Sequence, residues 1–233
     1  MRNWKYKNQN GKEVWKELEK AITYNSRNSI FDDWLNLILN SLLSLTDNLG
    51  RENFIEKFKE NKLDGEYSNR YLETVKKYNN GEKGKRPIDY LCNAWGLLQE
   101  ETKEKQKDIL GNIYMEMITF GEHGQFFTPE HITEMMAKMV NIKENEKVND
   151  TCCGSGRFLI SAHKENPNIK LYGSDLDERC AKITAINMWL FDVDNAEIKH
   201  SNSLSSEVWN IWRILRGGFI YNFKPKTAKI KIN

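Results

Sequence analysis

The segment Val148-Asn149-Asp150-Thr151-Cys152-Cys153-Gly154-Ser155-Gly156-Arg157-Phe158-Leu159-Ile160 reads as a strand end, a turn of small residues and the start of an amphipathic helix. Gly154 and Gly156 let a ligand approach the backbone closely, and the helix N-terminus that follows offers N–H groups with no intrahelical partner. Asp150 falls at the carboxyl end of the strand, the edge where an open α/β sheet binds ligands. The dinucleotide fingerprint GxGxxG is not met, because its third glycine position is Leu159, and no GK[ST] follows, because Gly156 precedes Arg157-Phe158. A carboxylate at Asp150, pointing into the turn, repels a pyrophosphate and attracts the ammonium or sulfonium end of S-adenosylmethionine. The competing reading is a glycine turn that merely packs a helix onto a sheet.

Twenty-five residues beyond Asp150, the run Leu171-Tyr172-Gly173-Ser174-Asp175-Leu176-Asp177 ends a second strand on an acid. A carboxylate there suits the ribose hydroxyls of a nucleoside cofactor, which makes Asp175 the ribose candidate. The alternative is an N-cap for the helix starting at Asp177. Upstream, Gly124-Gln125-Phe126-Phe127-Thr128-Pro129-Glu130-His131-Ile132 places Thr128 and Pro129 as N-cap and first residue of a helix over Glu130–Val140.

The elements that must position these residues fall into two parts. Up to about Lys107 the apolar residues recur at helical spacing, as in Phe31, Trp34, Leu35, Leu37, Ile38, Leu42 and Leu43. Helices are expected at Arg51–Asn61, Ser68–Tyr78 and Asp89–Lys107, with turns at Asp47–Gly50 and an exposed loop over Asn79–Pro87. After Asp108, short apolar runs alternate with helical stretches, the pattern of a parallel βαβ sheet. Strands are predicted near Lys147–Thr151, Lys170–Ser174 and Glu197–His200, and helices at Gly156–Asn166 and Asp177–Phe191. The reading is therefore a helical domain over 1–107 and an α/β domain over 108–233.

The three blocks GQFFTP, DTCCGSGRFLI about twenty residues later, and GSDLD, in that order, resemble the amino-methyltransferase family of type I restriction-modification modification subunits. The resemblance covers roughly Gly121 to Ser203. It implies a partial Rossmann-like, S-adenosylmethionine-dependent methyltransferase fold and adenine-N6 methylation of DNA. It further implies that Phe127 and Thr128 contact the methionine end of the cofactor, that Asp150, Gly154 and Gly156 cradle it, and that Asp175 holds its ribose. Leu176 would pack on the adenine ring, and Asn202, where similar proteins usually carry aspartate, would accept a bond from the adenine amino group. An ordinary turn asparagine is the other reading of Asn202. The implied partners are DNA and a specificity or methyltransferase subunit. The helical half more loosely resembles the domain that similar subunits use against DNA or a partner.

Such families also need an (Asn/Asp)-Pro-Pro-aromatic loop to hold a flipped-out base. The four prolines here, Pro87, Pro129, Pro167 and Pro225, are nowhere adjacent, so no catalytic residue is assigned. A truncated, catalytically silent cofactor- or DNA-binding module is thus the alternative expectation. A small-molecule methyltransferase would leave the GQFFTP block unexplained. From Ser205 onward, Trp209, Trp212, Phe219, Tyr221 and Phe223 interleave with Arg213, Arg216, Lys224, Lys226, Lys229 and Lys231, and no acid follows Arg213. Two readings stand: a short docking helix with a solvated basic tail, or a single-stranded nucleic-acid contact. A weaker basic patch lies at Arg2, Lys5, Lys7, Lys12 and Lys16.

The bulk properties agree with a cytoplasmic protein. The formal net charge is +2 and the mean hydropathy is −0.71, and no apolar run reaches the ~18 residues that a membrane span needs. Cys92, Cys152, Cys153 and Cys180 lack the spacing of a zinc site or disulfide framework and read as reduced thiols, so no metal is expected.

Overall fold

In a computed structural model, residues 10–22, 26–49, 56, 65–116 and 126–225 are described. The chain divides into two compact units, Met1–Phe127 and Thr128–Asn233.

The first unit is helical in its described residues. α1 (Lys12–Ile22) buries Val14, Trp15, Leu18 and Ala21, one stripe at helical spacing, and packs on α4 (Pro87–Lys105). α2 (Arg27–Asn48) starts where the Ser26 side chain accepts the Ser29 N–H, and it packs on α3 (Glu66–Tyr78). The Trp34 indole donates to the Leu91 carbonyl at 3.0 Å, which ties α2 to α4. Pro87 opens α4, and the Asp89 carboxylate accepts from the Arg86 and Gly84 backbone N–H groups and from the Arg86 guanidinium. The loop before it is exposed, as expected, whereas the expected helix Arg51–Asn61 lies outside the described residues except for Glu56. Of the amino-terminal cations, Lys16 is paired with Glu13 at 2.6 Å, and Arg2, Lys5 and Lys7 lie outside the described residues.

The division falls at Phe127, later than the expected 107, because α5 and Tyr114 pack with the helices and Phe127 stacks on Tyr114. α5 (Ile109–Tyr114), capped by Asp108, buries Ile109, Leu110 and Ile113, and Tyr114 lies 5.7 Å from the Phe31 ring.

The second unit is a mixed α/β layer. α6 (Glu130–Val140) precedes β1 (Lys147–Asp150), α7 (Arg157–Glu165), β2 (Lys170–Asp175), α8 (Glu178–Leu190) and β3 (Asn195–Asn202). The order is β1-β2-β3, all parallel, continued by β4 (Glu207–Leu215) and β5 (Phe219–Phe223), which run antiparallel as a hairpin. Parallel strands laid down in one direction with right-handed crossovers place both connecting helices on one face. Burial agrees with this: Val148, Leu171, Ala196, Ile198, Trp212, Ile214 and Ile220 line the covered face.

The β4–β5 hairpin corrects the expectation of a docking helix after Leu204. The run Val208 to Leu215 alternates, with Trp212 and Ile214 buried while Arg213 and Leu215 are exposed, a period of two rather than 3.6. Gly217 and Gly218, both at positive φ, make the return that residues with a Cβ resist. The Trp189 indole of α8 donates to the Gly218 carbonyl at 2.9 Å and docks that turn. Because Trp212 is 2% exposed in this strand, Trp212→Ala is expected to destabilise the second unit by about 3–5 kcal/mol. Urea denaturation followed by circular dichroism measures the loss; a solvated helix and tail would lose almost nothing.

Candidate cofactor site

The carboxyl ends of β1, β2 and β3 converge on one turn. The turn Thr151–Gly156 leaves β1, and the Cys153 N–H donates to the Ser174 carbonyl at 2.9 Å, which joins the turn to the end of β2. Asp175 then fixes the glycines: its Oδ2 accepts the Gly154 N–H at 2.9 Å and its Oδ1 accepts the Asp177 N–H at 2.9 Å. The N-cap of α8 is Asp177, whose side chain accepts the Arg179 N–H at 2.8 Å, so Asp175 is not the cap. Each carboxylate oxygen has a second lone pair, which leaves Asp175 able to accept further donors.

Helix α8 holds the far side of the turn through two polar residues that the sequence reading passed over. Thr184 Oγ1 donates to the Gly154 carbonyl at 2.9 Å, and Asn187 Nδ2 donates to the Ser155 carbonyl at 2.8 Å. Both side chains are buried in a helix that is otherwise apolar toward the sheet. Their spacing of three, on one helical face, was the available signal. Gly156 sits at φ +84°, and a Cβ there would lie 2.9 Å from Thr184 Cγ2. The turn and α8 are thus packed backbone to side chain.

Leu159 occupies the place of the third glycine in the dinucleotide fingerprint. Close approach of helix and sheet is supplied from the other side, where a Cβ on Gly173 would lie 2.9 Å from Leu159 Cδ1 and 3.0 Å from Ile198 Cδ1. At the end of β3, the Ser203 hydroxyl meets Ser174 Oγ at 2.9 Å and donates to the Thr151 carbonyl at 3.0 Å, linking three strand ends. Asn202 Oδ1 accepts the Leu204 and Ser205 N–H groups at 3.0 and 3.2 Å, an Asx turn into the hairpin. Leu176, by contrast, is 64% exposed beside Asp175, a large apolar group with no covering partner in the core.

Asp150 accepts the Cys152 N–H at 3.2 Å. Burial raises its carboxyl above the ordinary range, and the same is true of Asp175, where burial outweighs the two backbone donors and Asp177 and Asp150 add repulsion. Burial also pushes the Cys153 thiol far up, so it is a packing group rather than a nucleophile. The two acids make a partly desolvated negative site at the strand ends, which favours a cation.

The GQFFTP block is divided between the units. Phe127 belongs to the first, stacked on Tyr114 at 5.5 Å with its N–H toward Met115 Sδ at 3.4 Å. Thr128 begins the second, where its carbonyl accepts from the Arg157 guanidinium at 3.3 Å, next to the turn. The N-cap of α6 is Pro129 rather than Thr128: proline's ψ of 142° keeps it outside the helix, and its carbonyl accepts the Thr133 N–H. Gly124 and Gln125 lie outside the described residues.

A sequence model for the family described as N-6 DNA Methylase matches residues 105–219, a span that contains this whole strand-end cluster. Over residues 105–219 the chain is similar to that family. Among its relatives is the Type II restriction enzyme and methyltransferase RM.BcgI of Heyndrickxia coagulans, 32% identical over 142 residues, covering 51% of this chain and 22% of that protein. The Type I restriction enzyme MjaVIII methylase subunit of Methanocaldococcus jannaschii is 27% identical over 120 residues, covering 48% of this chain and 20% of that one. This chain therefore aligns with about a fifth of the length of these relatives. A solved type I restriction-modification methyltransferase subunit from Streptococcus thermophilus matches over 78% of this chain and 55% of that chain, with 12% identity and a TM-score of 0.40.

The packing of this turn gives a double-mutant test. Gly173→Ala is expected to cost about 1–3 kcal/mol by overpacking against Leu159 and Ile198. In a Leu159→Ala background the same substitution should cost at least ~0.5 kcal/mol less, because the two sites are in contact. Additive costs in urea denaturation would show that this contact does not set the helix–sheet distance.

Proposed function

We propose that the second unit binds S-adenosylmethionine at the ends of β1, β2 and β3, and that the protein serves adenine-N6 methylation of DNA, alone or with a specificity or methyltransferase partner subunit. One observation carries the reading: the half-buried Asp175 carboxylate gathers the Gly154 and Asp177 N–H groups at one strand end, with a second half-buried acid, Asp150, at the next. β1 to β3 then act as the cofactor half of a Rossmann-like sheet. Asp175 takes the ribose hydroxyls, and Leu176 lies against the adenine ring. Asp150 faces the cationic methionine end, with Gly154 and Gly156 beneath it and Thr128 beside the turn. The Asn202 oxygen already holds an Asx turn, so its share in adenine binding rests on its remaining lone pair or on its amide. When bound, the cofactor supplies an electrophilic methyl group; this chain's part is to hold and orient it.

A second reading, a cofactor- or DNA-binding module without transfer of its own, is favoured by the absence of any (Asn/Asp)-Pro-Pro-aromatic segment among the four prolines. The two readings separate in one experiment. In calorimetric titration, S-adenosylmethionine should bind the full chain and bind Leu176→Ala about tenfold more weakly, since burying a leucine is worth roughly 1.5–3 kcal/mol. Leu176 is exposed, so that loss is not a folding defect. Asp175→Ala should lose about 10- to 100-fold, the range for hydrogen bonds to a charged group. Methyl transfer to adenine-containing DNA by the same sample supports the enzyme, binding without transfer supports the silent module, and no binding overturns both.

The raised carboxyls also set a pH dependence. A folded acid with a raised pKa holds its proton more tightly than the unfolded one, so its contribution to stability is present at low pH and is lost as pH rises from the ordinary carboxyl range through the raised value. A bound cation favours the ionised form. Binding at mildly acid pH is therefore expected to release protons and to weaken as pH falls. Titration in two buffers of different ionisation enthalpy should give different apparent heats; equal heats would mean that neither acid faces the cation.

A further inference from the structure

The second unit's sheet has a face that α7 and α8 do not cover. Side chains alternate across each strand, so the partners of the buried row lie on the other side. The register puts Tyr172, Glu197, Arg213 and Tyr221 in one cross-strand row on that side, and Lys199, Ile211 and Phe223 in the next. Tyr221 is 38% exposed and Phe223 43%, with ring centroids 6.5 Å apart and planes 25° apart. The Arg213 guanidinium lies 5.1 Å from the Phe223 ring and its side chain remains 52% exposed.

The charge on this face has one sign in excess. Lys147 and Lys170 share a register position and alternate with the buried Val148 and Leu171, so they lie on the same side as Lys199 and Arg213. The one acid in the rows, Glu197, is already paired with Lys199 at 3.0 Å and Arg213 at 2.7 Å. A cationic surplus repels a second copy of itself and attracts a polyanion. Exposed rings ask for flat apolar partners, which a duplex hides in its stack and a single strand presents.

We propose that the open face of the sheet is a single-stranded DNA platform, on which bases stack against Tyr221 and Phe223 while Arg213, Lys199 and Lys170 meet the phosphates. The choice of DNA over RNA rests on the methylase family; the preference for a single strand rests on the face itself. The site is separate from the strand ends that bind the cofactor in our functional reading, so the two can fail independently.

Fluorescence anisotropy of a labelled oligothymidylate with the full chain tests this. Binding should weaken as salt rises and fall about tenfold for each of Tyr221→Leu and Phe223→Leu, which keep apolar bulk in the hairpin but remove the ring. S-adenosylmethionine titration of the same variants should be unchanged, which separates loss of the platform from loss of the fold or of the cofactor site. Unchanged oligonucleotide affinity in both leucine variants would overturn the proposal, as would equal binding of a duplex. Tighter binding of the matching oligouridylate would overturn the assignment to DNA. A dimer in sedimentation that the leucine variants disperse would identify a second copy as the occupant and overturn it too.

Discussion

Two backbone N–H groups, those of Gly154 and Asp177, converge on the carboxylate of Asp175, and much of the second unit follows from that convergence. One bond fixes the turn that leaves β1, and the other fixes the first residues of α8. A single side chain at the end of β2 therefore sets where two connections begin. Its ionisation is opposed by burial, so the same carboxylate that organises the turn is held in a state that a cationic or hydroxyl-bearing ligand would improve. In the proposed function, structure and binding draw on this same group, through the lone pairs that the two backbone donors leave open.

The rest of the turn is held from α8. Thr184 and Asn187 answer the carbonyls of Gly154 and Ser155, while Asp175 answers the Gly154 N–H, so these three backbone groups of the turn are paired without regular secondary structure. Gly173 performs a different task, removing a Cβ where Leu159 and Ile198 need the space. A fingerprint glycine on the helix and a bare position on the strand are two solutions to the same steric problem, and this chain uses the second.

How much was legible depended on whether the signal was local. The DTCCGSG turn, Asp175 and the helix Glu130–Val140 are encoded within a few residues, and the structure puts strands and helices there. The N-cap moved by one residue from Thr128 because a proline carbonyl serves as the first acceptor as well as a threonine's does. Thr184 and Asn187 were passed over because their partners lie some thirty residues upstream, and the separation is visible only once α8 lies against the turn. The division at Phe127 was hidden for the same reason: Tyr114 and Phe127 pack by ring contact within the helical unit, although the sequence around them already reads as α/β.

The hairpin shows a different kind of concealment. Its aromatic and basic composition is that of a docking helix and solvated tail, yet Trp212 and Ile214 alternate with Arg213 and Leu215 as a half-buried strand requires. Once paired with β3, these strands cover an edge that would otherwise expose its N–H and C=O groups, and they extend the core under α8 through Trp212, Ile214 and Ile220. The same alternation that buries those residues forces Arg213, Tyr221 and Phe223 to the other side. In a sheet whose two connecting helices, α7 and α8, lie on one face, closing the core and setting an aromatic, cationic row on the other are a single consequence of adding these two strands.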